Sequence, residues 1–493
     1  MTLKIKEDWH IILLILLIII GTFLRFYHLD YNSLWFDEAF TLFTANHTLS
    51  GIWDIISNNS IEITSVTLNG EFNPPLFYYI EHFMLVFGQS EFVLRFIPAL
   101  LGILTIPVFY YIGKEFADED VGIVMAALLT FSPFHIYYSQ EARAYSTMLF
   151  FFSLALFFLL ISLRTNRVFS WILFGFFSAL TLWTHYYSLI PLALLLVYTL
   201  YWGISQRRKG LQNPDRFILS FITFVIVTLP LVPLTFNLYL KRTSTPPTWG
   251  IKGLEVFYQI FRALSEYHRT TMALFFGLFI IGIIFIWKTD RLKAILIAGL
   301  LALPILISFY LAEKMPISEC YLIYILPFFF IGISISLKAL AGFFKRKNII
   351  IILIVLFFLI QAPFLAVYYN SYFTKYYKDD YRGIADIIEV NSAEGDYIIV
   401  IPYYARVPLD IYYNNKSDGT YEFGVRNESE IPPILLRLKN KQAYFVVTKH
   451  IDSADPDGST IRWLDNNTQR IGITREIQLF SLNLSKSSLS SNI

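Results

Sequence analysis

The chain has little charge and almost no cysteine. Only 15% of its 493 residues are charged, whereas soluble proteins carry about 25%. The single cysteine, Cys320, excludes an internal disulfide and a cysteine-rich metal site. A net charge of +2 gives no electrostatic reason to bind nucleic acid. Apolar residues are abundant instead, at 56% of the chain, with 18% aromatic. This composition predicts a polytopic membrane protein.

Apolar runs recur along the first three quarters of the chain. With about 20 apolar residues as the unit, we predict an α-helical polytopic membrane protein with about 11 transmembrane helices. No small-residue cleavage site follows the first run, so we expect an uncleaved span and not a signal peptide. Only a short segment, Trp183–Tyr187, separates the runs 170–184 and 187–204, so one bent helix over both is the alternative. The predicted spans lie near 10–27, 92–113, 121–138, 144–163, 170–184, 187–204, 217–238, 271–287, 294–312, 321–343 and 349–369.

Basic residues collect in alternate loops between these spans. By the positive-inside rule those loops are cytoplasmic. The short loop Lys114–Asp120 does not follow this rule, because it is acidic. We therefore predict a multi-pass protein of the plasma membrane with its N-terminus in the cytoplasm. The loops 28–91 and 239–270 and the tail then lie outside. The basic clusters are Lys4 with Lys6, Arg164 with Arg167, Arg207–Lys209 with Arg216, Lys288 with Arg291 and Lys293, and Lys345–Lys347.

The tail differs in composition from the spans. Segments 396–404, 443–450 and 476–484 read as strands, and 381–390 and 432–438 read as helices. Because the tail contains neither a glycine-rich phosphate loop nor metal-ligand spacing, we expect it to have a structural role or to recognise the molecule that accepts a transferred group. The predicted domains are a transmembrane catalytic domain, 1–370, and a soluble extracytoplasmic α/β domain, 371–493.

Two adjacent carboxylates, Asp37 and Glu38, follow the first span in an aromatic setting. Burial and like charge both perturb carboxyl pKa values, so this pair is a candidate catalytic site. The alternative is a membrane-surface helix with a solvated acidic edge. Further along the loop, 48–56 reads as an interfacial helix. After a break at Asn73–Leu76, residues 77–87 read as a second helix, and we expect the loop to roof a cavity.

Ionisable residues are nearly absent from the middle of the spans and collect at their outer ends. A mid-bilayer charge costs roughly 2.5–3.5 kcal/mol, which ion-coupled transporters accept. Chemistry at the outer surface suits this pattern better than transport. Arg95 and Arg143 are either lipid-facing anchors or a site for a lipid phosphate. Three histidines near the outer ends either assist this chemistry or make structural hydrogen bonds: His82, His135 and His185. The outer-end residues are Arg25, Asp37, Glu38, Glu81, His82, Arg95, Glu141, Arg143, His185, Lys314 and Glu319.

Four motifs occur in a characteristic order: DEA from Asp37, NPPLFYYIEHF from Asn73, RFIPALLG from Arg95, and YYSQEARAYS from Tyr137. Over roughly 10–370 this order resembles the GT-C membrane glycosyltransferases. The most similar branch contains the dolichyl-phosphate-mannose protein mannosyltransferases and the lipid A aminoarabinose transferases. The resemblance implies the GT-C fold and an enzyme that takes a sugar from a polyprenyl-phosphate carrier on the outer face.

Matched residue by residue, the resemblance implies that Asp37 and Glu38 are the catalytic acidic pair. It also implies that Arg95 and Arg143 lie near the carrier phosphate. The family often has His-Pro-Pro where this chain has Asn73-Pro74-Pro75, and a basic residue where it has Cys320. Lys314 is our candidate for the missing phosphate contact. Further candidate substrate-binding residues are Glu81, His82, Tyr138, Glu141 and His185.

The chemistry of such a transfer needs few groups. A phosphate leaves as a stable anion and needs positive charge nearby, whereas an acceptor hydroxyl or amine needs a base. We expect Asp37 to be that base in an inverting single displacement. Glu38 would orient the acceptor or stabilise oxocarbenium-like charge. A divalent metal is left open, although no ligand cluster argues for it.

The substrates stay open at this stage. The donor would be a polyprenyl- or dolichyl-phosphate sugar, with mannose, another hexose and aminoarabinose all allowed, and the acceptor a protein, lipid or surface glycan. One alternative function is a polyprenyl-linked lipid or glycan transporter or flippase, which would carry polar residues inside the spans. Another is a non-catalytic surface receptor, for which eleven spans are far more than an anchor requires.

Overall fold

The computed structural model divides the chain into two compact units. The first contains Met1–Leu29, Thr48–Gly88 and Val93–Tyr368. The second contains Asp30–His47, Gln89–Phe92 and Tyr369–Ile493. The acidic pair therefore belongs to the same unit as the C-terminal tail. The structure describes residues 9–58, 60–63, 66–69, 73–210, 212–243, 250–265, 269–343, 349–374, 378–393, 395–413, 421–424, 428–436, 442–448, 451, 455, 457–474 and 477–483.

Helices make up most of the first unit, and shorter helices and strands make up most of the second. The strands are β1 (Ser60–Ile63), β2 (Val66–Asn69), β3 (Tyr397–Ile401), β4 (Tyr421–Gly424), β5 (Gln442–Val447), β6 (Gln469–Thr474) and β7 (Ile477–Asn483). The helices are α1 (Trp9–Phe26), α2 (Phe36–Ala45), α3 (Leu49–Asn58), α4 (Leu76–Met84), α5 (Glu91–Phe116), α6 (Glu119–Thr130), α7 (Pro133–Ser139), α8 (Tyr145–Thr165), α9 (Val168–Thr184), α10 (Leu189–Arg208), α11 (Ile218–Thr228), α12 (Leu231–Thr243), α13 (Glu255–Leu264), α14 (Arg269–Thr289), α15 (Arg291–Leu311), α16 (Leu326–Phe343), α17 (Ile349–Thr374), α18 (Tyr381–Asn391), α19 (Arg406–Tyr412), α20 (Ile431–Leu435) and α21 (Ser459–Asn467).

Every predicted span falls on helical structure. Within the described ranges, eight helices are long and apolar enough to cross a membrane, and two bent helix pairs raise that number to ten. The one remaining predicted span, 170–184, corresponds to α9, an apolar helix of 17 residues. The alternative of one bent helix over 170–204 is wrong, because His185 is extended between α9 and a short 3-10 turn that leads into α10. The chain is a multi-pass membrane protein.

The third predicted span is broken into α6 and α7, which meet at an angle of 61°. Proline cannot continue a helix in register, and Pro133 begins α7 after Ser132 caps its first turn. The break leaves the last carbonyls of α6 without helical partners. Arg25 of α1 satisfies them, since its guanidinium donates to the Leu129 oxygen at 3.0 Å and to the Thr130 oxygen at 3.4 Å. A buried arginine thus stabilises the bend.

The tail folds around a five-stranded mixed sheet with the strand order β4-β3-β5-β7-β6. Strand β3 is parallel to β4 and β5, while β7 is antiparallel to β5 and β6. Ile398 and Val400 pack on one face with α18 and α19, and Ile399 and Ile401 pack on the other with α20 and α21. Burial on both faces explains the continuous apolar run of β3. The predicted α/β fold of the tail is confirmed, whereas the predicted domain bounds, 1–370 and 371–493, stay predictions.

The predicted elements of the tail are observed, with bounds that differ from the predicted ones by one to a few residues. They correspond to α18, β3, α20, β5 and β7. Sequence analysis missed α19, β4, α21 and β6, and the β1–β2 hairpin in the first unit. The helices predicted at 48–56 and 77–87 are present as α3 and as α4 with a short 3-10 continuation.

Candidate active site

The acidic pair occupies the first turn of α2. The helix begins after Trp35, so Asp37 and Glu38 lie where unpaired backbone N–H groups and the helix dipole favour negative charge. Asp37 is half-buried, whereas Glu38 is fully buried. A solvated acidic edge is therefore wrong for Glu38.

Lys378 approaches Glu38 within the second unit. Its Nζ atom lies 2.9 Å from Glu38 Oε1, and both side chains are at most 1% exposed. Ions buried to this extent persist only when they are paired. Sequence analysis missed Lys378. The available signal was a charged run, Lys378-Asp379-Asp380, immediately before the first helix of the tail.

Other tail residues fix the chain around the acidic pair. The Ser33 hydroxyl donates to the Asp379 carbonyl at 2.8 Å. The Leu34 amide donates to the Tyr412 hydroxyl at 2.6 Å, and that hydroxyl donates to Glu91 Oε1 at 2.7 Å. Residues of the tail thus hold the turn that precedes the acidic pair.

In the first unit, the RFIPALLG and YYSQEARAYS motifs pack against each other. A Cβ atom on Gly102 would collide with the Ser139 side chain, so glycine permits this close approach. The Ser146 hydroxyl donates to the Pro98 carbonyl at 2.9 Å. The two motifs therefore form one packed contact.

Gln140 in the same turn ties several elements together. Its fully buried amide nitrogen donates to the carbonyls of Leu24, Arg25 and Tyr27 at 3.3–3.4 Å. Its amide oxygen accepts from the Tyr368 hydroxyl at 2.8 Å. We did not single out Gln140 from the sequence. It fixes the turn against the end of α1 and against α17.

The two candidate phosphate-binding arginines are buried, Arg95 at 0% and Arg143 at 6% exposure. A lipid-facing anchor keeps its head group exposed, so that alternative is wrong for both. The Arg95 guanidinium donates to the Leu29 carbonyl at 2.8 Å, where α1 gives way to the loop. The Arg143 amide donates to the Glu141 carbonyl at 2.7 Å and closes the turn. Glu141 is itself buried.

His135 has the structural role that we considered for it. Its Nδ1 atom accepts from the Arg25 guanidinium at 2.7 Å. Because guanidinium groups only donate, His135 is neutral and carries its hydrogen on Nε2. It helps to hold Arg25 against the bend between α6 and α7.

Tyr138 and His185 belong to one aromatic cluster with Tyr145 and Tyr321. The ring centroids of Tyr138 and Tyr145 are 5.2 Å apart, and those of His185 and Tyr321 are 5.0 Å apart. The His185 Nδ1 atom accepts from the Tyr187 amide at 3.2 Å. The cluster brings the YYSQEARAYS turn next to His185, which follows α9, and Tyr321, which precedes α16.

A mostly apolar cavity of about 400 Å³ lies in the first unit. Asn73 and Tyr321 both line it. Asn73 is one of the two positions where the chain departs from the family pattern, and Tyr321 directly follows the other, Cys320. Further lining residues are His185, Tyr186, Tyr187, Leu189, Ile190, Ala193, Leu194, Thr235, Leu238, Tyr239, Ile307, Leu311 and Met315.

The remaining candidates lie in different settings. Glu81 on α4 is fully buried, and neither carboxyl oxygen has a hydrogen-bond partner among the described residues. Burial raises the pKa of Glu81 well above its ordinary value of 4.5. His82 beside it is half-buried. Lys314 is exposed and donates to the Tyr310 hydroxyl at 2.8 Å. Their roles with substrate stay predictions.

The residues of the acidic pair do not fit a metal site as they stand. In the part of the chain that the structure describes, no three His, Cys, Asp or Glu side chains are grouped to hold a metal ion. The Lys378 ammonium beside Glu38 would also repel a divalent cation. No step proposed below therefore passes through a metal.

Comparisons with known proteins support the resemblance. A family model described as dolichyl-phosphate-mannose-protein mannosyltransferase matches residues 73–233. A crystal structure of ArnT from Cupriavidus metallidurans bound to undecaprenyl phosphate matches with a TM-score of 0.59 and 16% identity over 98% of this chain and 99% of that one. A search of curated proteins gave no match.

Archaeal oligosaccharyltransferases have a similar fold. A structure from Archaeoglobus fulgidus in complex with Zn and sulfate matches with a TM-score of 0.54 and 13% identity, over 88% of this chain and 68% of that one. The Archaeoglobus AglB in complex with an inhibitory peptide and a dolichol-phosphate gives 0.55 and 12%, over 90% and 70%. The predicted resemblance to the GT-C membrane glycosyltransferases and the GT-C fold are confirmed.

Proposed function

Because the chain has the fold of the GT-C membrane glycosyltransferases, we propose that it is a glycosyltransferase that uses a polyprenyl-phosphate sugar as donor. The cavity supports this proposal most directly. It is mostly apolar, it has a few polar residues, and it is lined by Asn73 and Tyr321 of the family motifs. Such a lining suits a ligand with a hydrocarbon chain and a polar head. The two relatives bound to undecaprenyl phosphate and dolichol-phosphate favour the same class of ligand.

In the proposed reaction, Asp37 accepts the proton of the acceptor hydroxyl or amine as the acceptor attacks the anomeric carbon. The bond to the carrier phosphate breaks, and the phosphate keeps the electron pair. The configuration at the anomeric carbon inverts. A half-buried carboxylate at a helix N-terminus stays ionised more readily than one in an apolar core. Asp37 therefore suits the role of base better than the fully buried Glu81 does.

Positive charge is the second requirement, since the leaving phosphate is an anion. Arg143 and Arg95 are the main candidates, because both lie in the family motifs and both are buried. Arg95 also donates to the Leu29 carbonyl. Lys314 is a weaker candidate, since it is exposed and bonded to Tyr310.

The orientation belongs to the same proposal. Basic residues in alternate loops favour a cytoplasmic N-terminus and an extracytoplasmic tail. Polyprenyl-phosphate donors suit that side, because nucleotide sugars are not at hand outside the cell. The acceptor, whether protein, lipid or surface glycan, would then be extracytoplasmic.

A transfer assay tests this function. Membranes that carry the wild-type protein or Asp37→Asn receive radiolabelled polyprenyl-phosphate sugars, and label is followed into lipid, protein and glycan fractions. Loss of a general base lowers the rate by about 100- to 10,000-fold, so we expect label to move only with intact Asp37. Asp54→Asn, which alters an exposed carboxylate of the same loop, is the matched control.

The possible results separate the alternatives. Near-normal transfer by folded Asp37→Asn would remove Asp37 from the mechanism. No transfer from any donor by folded wild-type protein would count against an enzyme, and a flipping assay would then test the transporter alternative.

A further inference from the structure

We infer that Lys378, the first charged residue of the described tail, is a positioning residue for the acidic pair and acts by holding the Glu38 carboxylate. This inference rests on the proposed function, in which Asp37 is the base. It gives the C-terminal tail a part in the reaction beyond structure or acceptor recognition.

The contact is short and dry. Lys378 Nζ lies 2.9 Å from Glu38 Oε1, and the two side chains are 1% and 0% exposed. An ion pair on the surface would exchange partners with water, but this one is shielded from solvent. Glu38 also lies in the first turn of α2, directly after Asp37. The direction of the Glu38 side chain therefore sets the rotation of the turn that carries Asp37.

The backbone at Lys378 is fixed as well. The carbonyl of the next residue, Asp379, accepts from the Ser33 hydroxyl at 2.8 Å. Ser33 lies just before the acidic pair, so the loop and the tail are joined both there and at Glu38. Two attachment points a few residues apart restrict how the turn can move. The base is then held in one orientation before the acceptor arrives.

Charge gives a second reason for the pair. Two adjacent carboxylates repel each other, and each disfavours ionisation of its neighbour. The Lys378 ammonium compensates one of the two negative charges. Asp37 can then ionise without a second uncompensated negative charge at its side.

A second ion pair in the same unit provides a matched control. Arg382 pairs with Glu91, and the Arg382 guanidinium also donates to the Asp30 carbonyl at 3.3 Å. This pair joins the tail to loop segments as Lys378 does, but it is partly exposed and does not contact Glu38. Arg382→Met therefore tests whether loosening the tail alone reduces transfer.

The experiment measures kcat and the donor KM of the purified full-length protein for wild type, Lys378→Met, Lys378→Arg and Arg382→Met. A displacement of about 1 Å in a reacting group costs on the order of 100-fold in rate. We expect Lys378→Met to lower kcat by that order while the donor KM changes by less than about threefold. Lys378→Arg should recover most of the rate, because it restores the cation. Arg382→Met should stay within about threefold of wild type, as expected for a partly exposed pair.

If Lys378→Met does not fold, the double variant Glu38→Gln/Lys378→Met is assayed in its place. The double variant removes both buried charges together. That variant should be as slow as Glu38→Gln alone, because the pair acts as one unit. Transfer within about threefold of wild type by folded Lys378→Met, or by the double variant, would overturn the inference and leave the proposed function intact. An equal loss in Arg382→Met would also overturn it. Absence of transfer by wild type would overturn both.

Discussion

The buried pair between Lys378 and Glu38 makes a quantitative prediction about stability. Lys378→Met keeps the apolar stem but leaves the Glu38 carboxylate buried without its cation. Removing one partner of a buried ion pair costs about 3–5 kcal/mol, whereas replacing both partners by neutral groups is often neutral. We therefore expect a large loss of stability in Lys378→Met, and a much smaller loss in Glu38→Gln/Lys378→Met.

Hydrogen–deuterium exchange measures this loss locally. Peptides from α2 and α18 report opening of the unit that contains the pair. A loss of about 3–5 kcal/mol corresponds to roughly 100- to 5,000-fold faster exchange when opening and closing are fast. Peptides from spans remote from the pair, such as α8, should be unaffected, because remote sites seldom couple.

Arg382→Met provides the scale for an ordinary ion pair. The Arg382 side chain is 42% exposed and the side chain of its partner Glu91 is 12% exposed, so a loss near or below about 1 kcal/mol is expected. If Lys378→Met cost no more than Arg382→Met, the pair would not be the buried and dry contact that the geometry indicates. If the double variant lost as much as Lys378→Met, loss of packing and not loss of charge would be responsible.

Two further predictions concern the first unit. Glu81 keeps a raised pKa because it is buried, so wild-type stability should fall by about 1.4 kcal/mol per pH unit as the pH rises from about 4.5 toward that pKa. Glu81→Gln should abolish this slope in thermal melts, and parallel wild-type and variant curves would contradict the prediction. Ala193→Trp fills the cavity and should raise the donor KM by roughly 10-fold or more. Leu359→Trp, at an exposed position of α17 that does not line the cavity, should not.

Most of the membrane architecture could be predicted from the sequence because the bilayer imposes a local rule. A run of about 20 apolar residues is readable without knowledge of its neighbours, and each predicted span falls on a helix. The bend between α6 and α7 was less accessible. Pro133 is visible in the sequence, but the bend within the predicted span 121–138 was not, because the partner of the freed carbonyls is Arg25, more than 100 residues away.

The candidate site was only partly predictable. The motifs identified Asp37, Glu38, Arg95 and Arg143 as residues of interest, and their roles stay predictions. The choice between a lipid-facing and a buried arginine depended on packing that no local pattern specifies. Gln140 was overlooked for the same reason, because its partners lie on α1 and α17.

The sequence alone determined that the chain crosses the membrane many times, that an acidic pair follows its first span, and that a small α/β domain ends it. Each of these features is written in hydrophobic runs, alternation or a short motif. Only the tertiary structure decided that the acidic pair belongs to the same unit as the tail and that Lys378 faces Glu38. The physical reason is separation along the chain. An ion pair between residues about 340 positions apart leaves no periodic signal, and it is burial that makes the loss of one partner costly.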